Sequence, residues 1–264
     1  MPELAEVEYF RKRWNAGIGD RVVAVQLHAK KRIFRTTKTA ALKRHLANER
    51  LLRSSARGKQ ILFVFSGDNW LGIHLGMSGK LRTEAADFRA EKHDHLILRQ
   101  KARALVFSDA RQFGRVRFHH GADAPAWWEA SAPEIHSPQF SLAGMSKFVR
   151  RHGRAPIKAV LLLQSGFPGI GNWMADEILW RARIAPRQRG SKLNMEKLRA
   201  IWRSTRFVAR ASLETLGRDN SDPPKGWLLH ERWRAGGKCP RDGCVLHRAT
   251  IGGRTTAWCA LCQR

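Results

Sequence analysis

The chain has 264 residues, carries a formal net charge of +27 and is 43% apolar. That length accommodates one large domain or two of ordinary size, and the apolar fraction excludes a disordered basic arm. So strong a positive balance calls for a polyanionic partner, with nucleic acid ahead of an anionic membrane surface because no lipidation signal or basic amphipathic terminus accompanies it.

Residues 4–16 read as a short helix, with Leu4, Val7, Tyr9, Phe10 and Trp14 available for packing and Gly17 and Gly19 closing it. From Arg21 to about His120 the pattern turns β-like, with apolar runs at Val22–Val25, Ile61–Phe65, Trp70–Ile73, His95–Leu98 and Ala104–Phe107 separated by turn signals such as Ser66-Gly67-Asp68-Asn69. A sandwich or barrel is expected over residues 1–122. Prolines 125, 133 and 138 mark a linker over 123–138. Helical periodicity follows at Ser141–Arg151, Pro156–Gln164, Asn172–Arg183 and Asn194–Leu216, defining a second domain over 139–226, and a cysteine module occupies 227–264. No apolar run reaches the length of a membrane span, and the N-terminus lacks the apolar core of a signal peptide, so an intracellular protein is expected.

Three places carry chemistry. Removal of Met1 would leave Pro2 as an N-terminal secondary amine, which can attack an aldehyde or sugar C1′ and form an iminium directly, with the adjacent Glu3 carboxylate to shuttle protons. The same residues also suit an ordinary helix start, with proline leading and Glu3, Glu6 and Glu8 in the first turn. Gly169-Ile170-Gly171-Asn172 opens the helix that contains Trp173 to Trp180. It serves either as a phosphate-binding helix N-terminus or as a glycine turn capped by Asn172. All four cysteines lie at the end: four residues separate Cys239 from Cys244, fourteen intervene, and two separate Cys259 from Cys262. Two chelating pairs on short turns fit one structural, tetrahedral zinc, with no open position for catalysis. Between them Ile251-Gly252-Gly253-Arg254-Thr255 reads as a β-hairpin tip presenting Arg254.

These motifs resemble, in order, those of the formamidopyrimidine-DNA glycosylase/endonuclease VIII family. The resemblance begins with Met1-Pro2-Glu3-Leu4-Ala5-Glu6-Val7-Glu8 and continues through Arg57-Gly58-Lys59, His74-Leu75-Gly76-Met77-Ser78-Gly79 and Asp109-Ala110-Arg111-Gln112-Phe113-Gly114. Ile157-Lys158, Gly169–Asn172 with Ala175–Leu179, and Gly252–Thr255 with the cysteines complete it. It implies an α+β multidomain fold: an N-terminal β-sandwich with its leading helix, a helix-two-turn-helix domain and a C-terminal β-hairpin zinc finger. It further implies a monomeric bifunctional DNA glycosylase and abasic-site lyase acting on damaged, double-stranded DNA. Pro2 would be the nucleophile and Glu3 the acid/base; Lys59, Asn172 and Arg254 would hold phosphates around an extruded nucleotide, and Lys158 would contact DNA. Met77, Arg111 and Phe113 would fill the space the nucleotide leaves, which otherwise costs a few kcal/mol.

The chain departs from the family pattern at four points. Ala5 replaces a usual proline, the first cysteine pair has four intervening residues where two are typical, Trp173 stands where a smaller aliphatic residue is common, and the 216–227 segment is short. The short segment puts 8-oxoguanine in doubt as the substrate. Loss of turnover would leave a DNA-structure binding protein, and loss of base release alone would leave an abasic-site lyase.

Overall fold

The computed structural model describes residues 1–264, which divide into two compact units: residues 1–2 with 6–131, and residues 3–5 with 132–264. The helix α1 (Leu4–Arg13) opens the chain. The first unit is built on eight strands: β1 (Val22–Leu27), β2 (Leu51–Arg57), β3 (Gln60–Phe65), β4 (Asn69–His74), β5 (Lys80–Ala85), β6 (Asp94–Gln100), β7 (Arg103–Ser108) and β8 (Arg115–His120). Helix α2 (Thr39–Leu46) lies between β1 and β2. The strands form two antiparallel four-stranded sheets, ordered β1-β6-β7-β5 and β2-β3-β4-β8.

Period-two alternation explains the sandwich. Ile61, Phe63 and Phe65 of β3 join Leu71 and Ile73 of β4, and Leu96, Leu98, Leu105 and Phe107 of the other sheet, in one buried cluster. Trp14 is fully buried in that cluster, its ring 4.6 Å from that of Phe63 and its indole N–H donating to the Val106 carbonyl. Leu62, Val64 and Trp70 point to the opposite face of their sheet, where Trp128 of α3 (Ala126–Glu129) covers them. That short helix falls inside the stretch expected as a linker, and the division between the units falls after Ser131.

The second unit contains α4 (Leu142–Arg151), α5 (Ile157–Leu161), α6 (Asn172–Arg181), α7 (Met195–Glu214) and α8 (Leu216–Asp219), followed by the hairpin β9 (His247–Ile251) and β10 (Arg254–Trp258). Ser141 and Asn194 cap α4 and α7 through their side chains, as helix N-termini require. Eight of the ten α6 residues, from Trp173 to Trp180, are buried, so α6 is the central helix of this unit. Only a small cluster serves the C-terminal module: Trp180, Leu228 and Leu246 with Cys239 and Cys259. No helix is long and apolar enough to cross a membrane.

Candidate nucleic-acid site and metal centre

In the second unit the N-terminus of α6 is organised by Glu3. Its side chain is 3% exposed; Oε2 accepts from the N–H of Gly171 (2.9 Å) and Met174 (3.1 Å), and Oε1 from that of Trp173 (3.0 Å). Three of the donors that a helix start leaves without an intrahelical partner thus end on one carboxylate. Glycine is required at 171, because a Cβ there would lie 2.3 Å from Glu3 Cδ. The Leu4 N–H donates to the Gly169 carbonyl at 3.0 Å and completes the anchor. The sequence offers Asn172 as a cap or a phosphate ligand, but its side chain does not cap α6. Asn172 Nδ2 donates instead to the Thr255 carbonyl at 2.9 Å, which brings it beside Arg254. Arg254 follows a two-glycine turn with φ of +61° and +72° at Gly252 and Gly253, the left-handed pair a tight hairpin demands. Its side chain is exposed.

Lys158 departs from the expectation of a DNA contact. It is fully buried, donates to the Asn172 carbonyl at 2.7 Å and forms an ion pair with Asp176. Asp176 also receives Arg232 Nε at 3.0 Å and the Ala257 N–H at 3.2 Å. One carboxylate therefore ties α5, α6, the segment after α8 and β10 together. Burial lowers the Lys158 pKa against the opposing pull of Asp176. A charge so placed organises the site from behind and has no surface to offer a phosphate. The motifs holding Lys158 and Asp176 are visible in sequence, but nothing there joins them to each other or to Arg232, which lies 56 residues beyond Asp176.

Trp173 is buried, with its ring 6.4 Å from that of Trp227. Phe207 stands 6.2 Å from the same Trp227 ring, and the Arg181 guanidinium lies 4.6 Å from both the Phe207 and Trp227 centroids. The large residue at 173 is thus part of a packed aromatic and guanidinium cluster.

In the first unit Lys59 sits at the β2–β3 turn, half-buried, with Nζ 4.0 Å from the Met1 sulfur. Met77, Arg111 and Phe113 lie on two turns that Asp109 joins. The Ser78 hydroxyl donates to Asp109 Oδ1 (2.6 Å) and the Gly114 N–H to Oδ2 (2.7 Å), while the Arg111 N–H donates to Ser78 Oγ. A Cβ at Gly76 would lie 2.4 Å from the Gly114 nitrogen, so glycine there permits the contact. Asp109 is fully buried, whereas Met77 is 36% and Phe113 41% exposed. Two large apolar side chains held in solvent by a buried anchor fit a wedge better than a core. The Arg111 guanidinium stacks 4.9 Å from the Phe113 centroid.

Beside Phe113, a cleft of about 250 Å³ is lined by Arg35, Gln60, His74, Arg115 and Arg117. Burial and the surrounding cations, Lys59 first among them, push the His74 pKa down to about 4. Its neutral Nδ1 accepts from the Gly76 N–H at 3.0 Å. The three arginines were missed in sequence; the signal was Arg115-Val116-Arg117, a strand alternation that puts both guanidinia on one face.

At the C-terminus all four cysteines meet. Cys239 Sγ stands 3.5 Å from Cys262 Sγ, and Cys244 Sγ stands 3.2 Å from Cys259 Sγ. A fifth donor, which the sequence reading passed over, joins them: Asp242 Oδ2 lies 3.1 Å from the sulfurs of both Cys259 and Cys262. Hydrogen bonding to Asp242 and Cys259 pushes the Cys244 thiol up to about 12, and burial raises Cys262 as well. A divalent cation reverses that balance by stabilising thiolates, and the convergent soft donors suit one. Trp180 Nε1 donates to Cys239 Sγ at 3.3 Å, an outer partner of the kind that orients a metal ligand.

A sandwich, a helical unit built on α6 and a cysteine-bearing hairpin define an α+β multidomain protein with a C-terminal finger. The family model for the formamidopyrimidine-DNA glycosylase N-terminal domain matches residues 1–116, and that for the family's H2TH domain matches 132–222. The chain is 34% identical to a formamidopyrimidine-DNA glycosylase of Roseiflexus over 274 residues, covering 100% of both chains. It is 32% identical to that of Thermus thermophilus, covering 100% of this chain and 98% of the relative. Among solved structures it is similar to Lactococcus lactis Fpg with N7-benzyl-Fapy-dG DNA (TM-score 0.89, 26% identity, 100% of both chains). The same enzyme bound non-covalently to abasic-site DNA matches at TM-score 0.87, with 27% identity and 99% of each chain covered. The chain belongs to the formamidopyrimidine-DNA glycosylase family, a family of DNA-binding repair glycosylases.

Proposed function

We propose that the protein is a bifunctional DNA glycosylase and abasic-site lyase of base excision repair, acting on damaged double-stranded DNA as a monomer. With Met1 removed, the Pro2 amine attacks C1′ of the damaged nucleotide, a C1′–N bond to the protein replaces the bond to the base, and the base departs. Glu3 takes the proton that the Pro2 nitrogen sheds on bonding to C1′ and passes it to the ring oxygen as the sugar opens to the iminium; β- and δ-elimination then free the sugar remnant from the DNA, and water hydrolyses the iminium to release Pro2. Lys59, Asn172 and Arg254 bind the phosphates flanking the extruded nucleotide. Met77 and Phe113 enter the stack, and Arg111 hydrogen-bonds the orphaned base.

The observation that carries this reading is the placement of Glu3. A residue adjacent to the nucleophile is fixed by three backbone donors at a helix N-terminus, a rigidity that catalysis needs and that binding alone does not explain. A zinc ion bound by Cys239, Cys259, Cys262 and a fourth donor from the 242–244 turn would act structurally, holding the finger that presents Arg254. The test is borohydride trapping on DNA with one abasic site, with peptide mapping of the cross-link and an intact-mass check that Met1 is absent. A cross-link at Pro2 that Pro2→Gly abolishes is expected. No cross-link in protein lacking Met1 would refute the lyase and leave a DNA-binding protein.

A further inference from the structure

The two knuckles of the metal centre have the same backbone form. In the second, the Gln263 N–H returns to the Cys259 carbonyl at 3.1 Å, and Cys262 stands three positions after Cys259. In the first, the Gly243 N–H returns to the Cys239 carbonyl at 2.9 Å, and the residue three positions after Cys239 is Asp242. The chain then turns through Gly243, whose φ is +73°, and Cys244 comes one residue beyond that turn. The donor atoms of Cys239, Asp242, Cys259 and Cys262 all lie within 4.8 Å of one another. A tetrahedral zinc with bonds of about 2.3 Å to sulfur needs donor separations of about 3.8 Å, which such a set can meet.

We propose that Asp242 supplies the fourth ligand of the metal and that the Cys244 thiol lies outside the coordination set. The Asp242 carboxylate, which also hydrogen-bonds the Cys244 thiol, divides its two oxygens between two further tasks. Oδ1 accepts the Cys244 N–H at 3.1 Å, while Oδ2 faces the sulfurs of Cys259 and Cys262. One oxygen held by backbone and the other turned to the thiolates is the arrangement of a ligating carboxylate with its supporting hydrogen bond. The backbone of Cys244 is committed to that support, since its carbonyl also receives the Cys239 N–H at 2.8 Å. The unusual spacing of the first cysteine pair is thereby explained: the chelating pair is Cys239 with Asp242, and Cys244 is a neighbouring thiol. This rests on the structural-zinc part of the functional reading and not on the DNA chemistry.

The experiment uses the full chain, stripped and reloaded with Co2+, with zinc affinity measured by chelator competition and thiols counted by iodoacetamide on the zinc-loaded wild type. A three-thiolate charge-transfer spectrum is expected, unchanged in Cys244→Ser and altered in Asp242→Asn. Zinc affinity should stay within about threefold in the first variant and fall at least tenfold in the second. One thiol should alkylate, mapping to Cys244, a result that needs no variant to fold. A four-thiolate spectrum that loses about a quarter of its intensity in Cys244→Ser, with no alkylation of the loaded protein, would overturn the assignment. Failure to bind either metal would refute the zinc reading itself and leave the trapping result untouched.

Discussion

Glu3→Gln separates the two duties that fall on one residue. The carboxylate accepts from Gly171, Trp173 and Met174 at 2.9, 3.0 and 3.1 Å. A glutamine amide has one acceptor oxygen, so its best orientation keeps the pair from Gly171 and Met174 and turns an NH2 against the Trp173 N–H. One charge-assisted bond is lost outright, worth about 1.5–3 kcal/mol, together with about 0.3–1 kcal/mol of charge–dipole attraction at the helix start. A loss of about 2–4 kcal/mol lowers Tm by roughly 4–16 °C at the ~2–4 °C per kcal/mol expected for a unit of this size. Calorimetry reads that shift. Single-turnover base release, measured well below either transition where wild type and variant are equally folded, reads the chemistry, and a loss of about 100-fold or more is expected for a missing acid/base. A variant that melts within a degree of wild type would refute the anchoring argument; one that melts low yet releases base at the wild-type rate would remove Glu3 from the chemistry.

Asp176→Asn leaves Lys158 and Arg232 buried without their shared counter-charge, so denaturant unfolding should show a loss of about 3–5 kcal/mol. Lys158→Ala should leave the salt dependence of DNA affinity unchanged, whereas Arg254→Ala should reduce the log–log slope by about 1, as measured by titration at several salt concentrations. Burial raises the Glu177 pKa to about 7 against the opposing pull of Arg181. The folded state therefore holds a proton that the unfolded state has lost between about pH 4.5 and 7, and this group's contribution to stability declines as pH rises through that window. Glu177→Gln should remove that slope, gaining up to roughly 3 kcal/mol at pH 8 relative to wild type in urea titrations. Chelation of the bound metal should change Trp180 fluorescence, because its indole N–H donates to Cys239 Sγ; an emission spectrum indifferent to chelator would contradict the coupling.

The parts legible in sequence were those with a local signal. Apolar runs located β1, β3, β4, β6 and β7, and periodicity with caps located α4 to α7. The strands β2, β5 and β8 left no such run because each is a sheet edge, where polar residues are tolerated: Arg53-Ser54-Ser55, Arg82-Thr83-Glu84 and Arg115-Val116-Arg117 interrupt any apolar stretch there. Helix α2, with only Leu42 and Leu46 buried, is too short to announce itself by period. At the site, motifs marked residues but not their environment. The family resemblance implies a DNA contact for Lys158, but a motif does not carry burial, and the side chain is fully buried. Asp242 was invisible for a different reason, since attention to cysteine spacing passes over a carboxylate at chelating distance between them.

The acidic residues show what the charge balance is for. With 49 basic residues against 22 acidic ones, surface carboxylates are scarce, and several of those present are withdrawn from solvent. Glu3 closes the start of α6, Asp109 joins the turns bearing Met77 and Phe113, and Asp176 ties α5 and α6 to β10; each is at most 3% exposed. A loop that must face a phosphate backbone cannot carry a carboxylate on its outer side without repelling it, yet its backbone N–H groups still need acceptors. Placing the carboxylate behind the loop satisfies those donors and leaves the outer face positive. The buried acids, more than the visible lysines and arginines, therefore fix where the residues proposed to meet DNA are held.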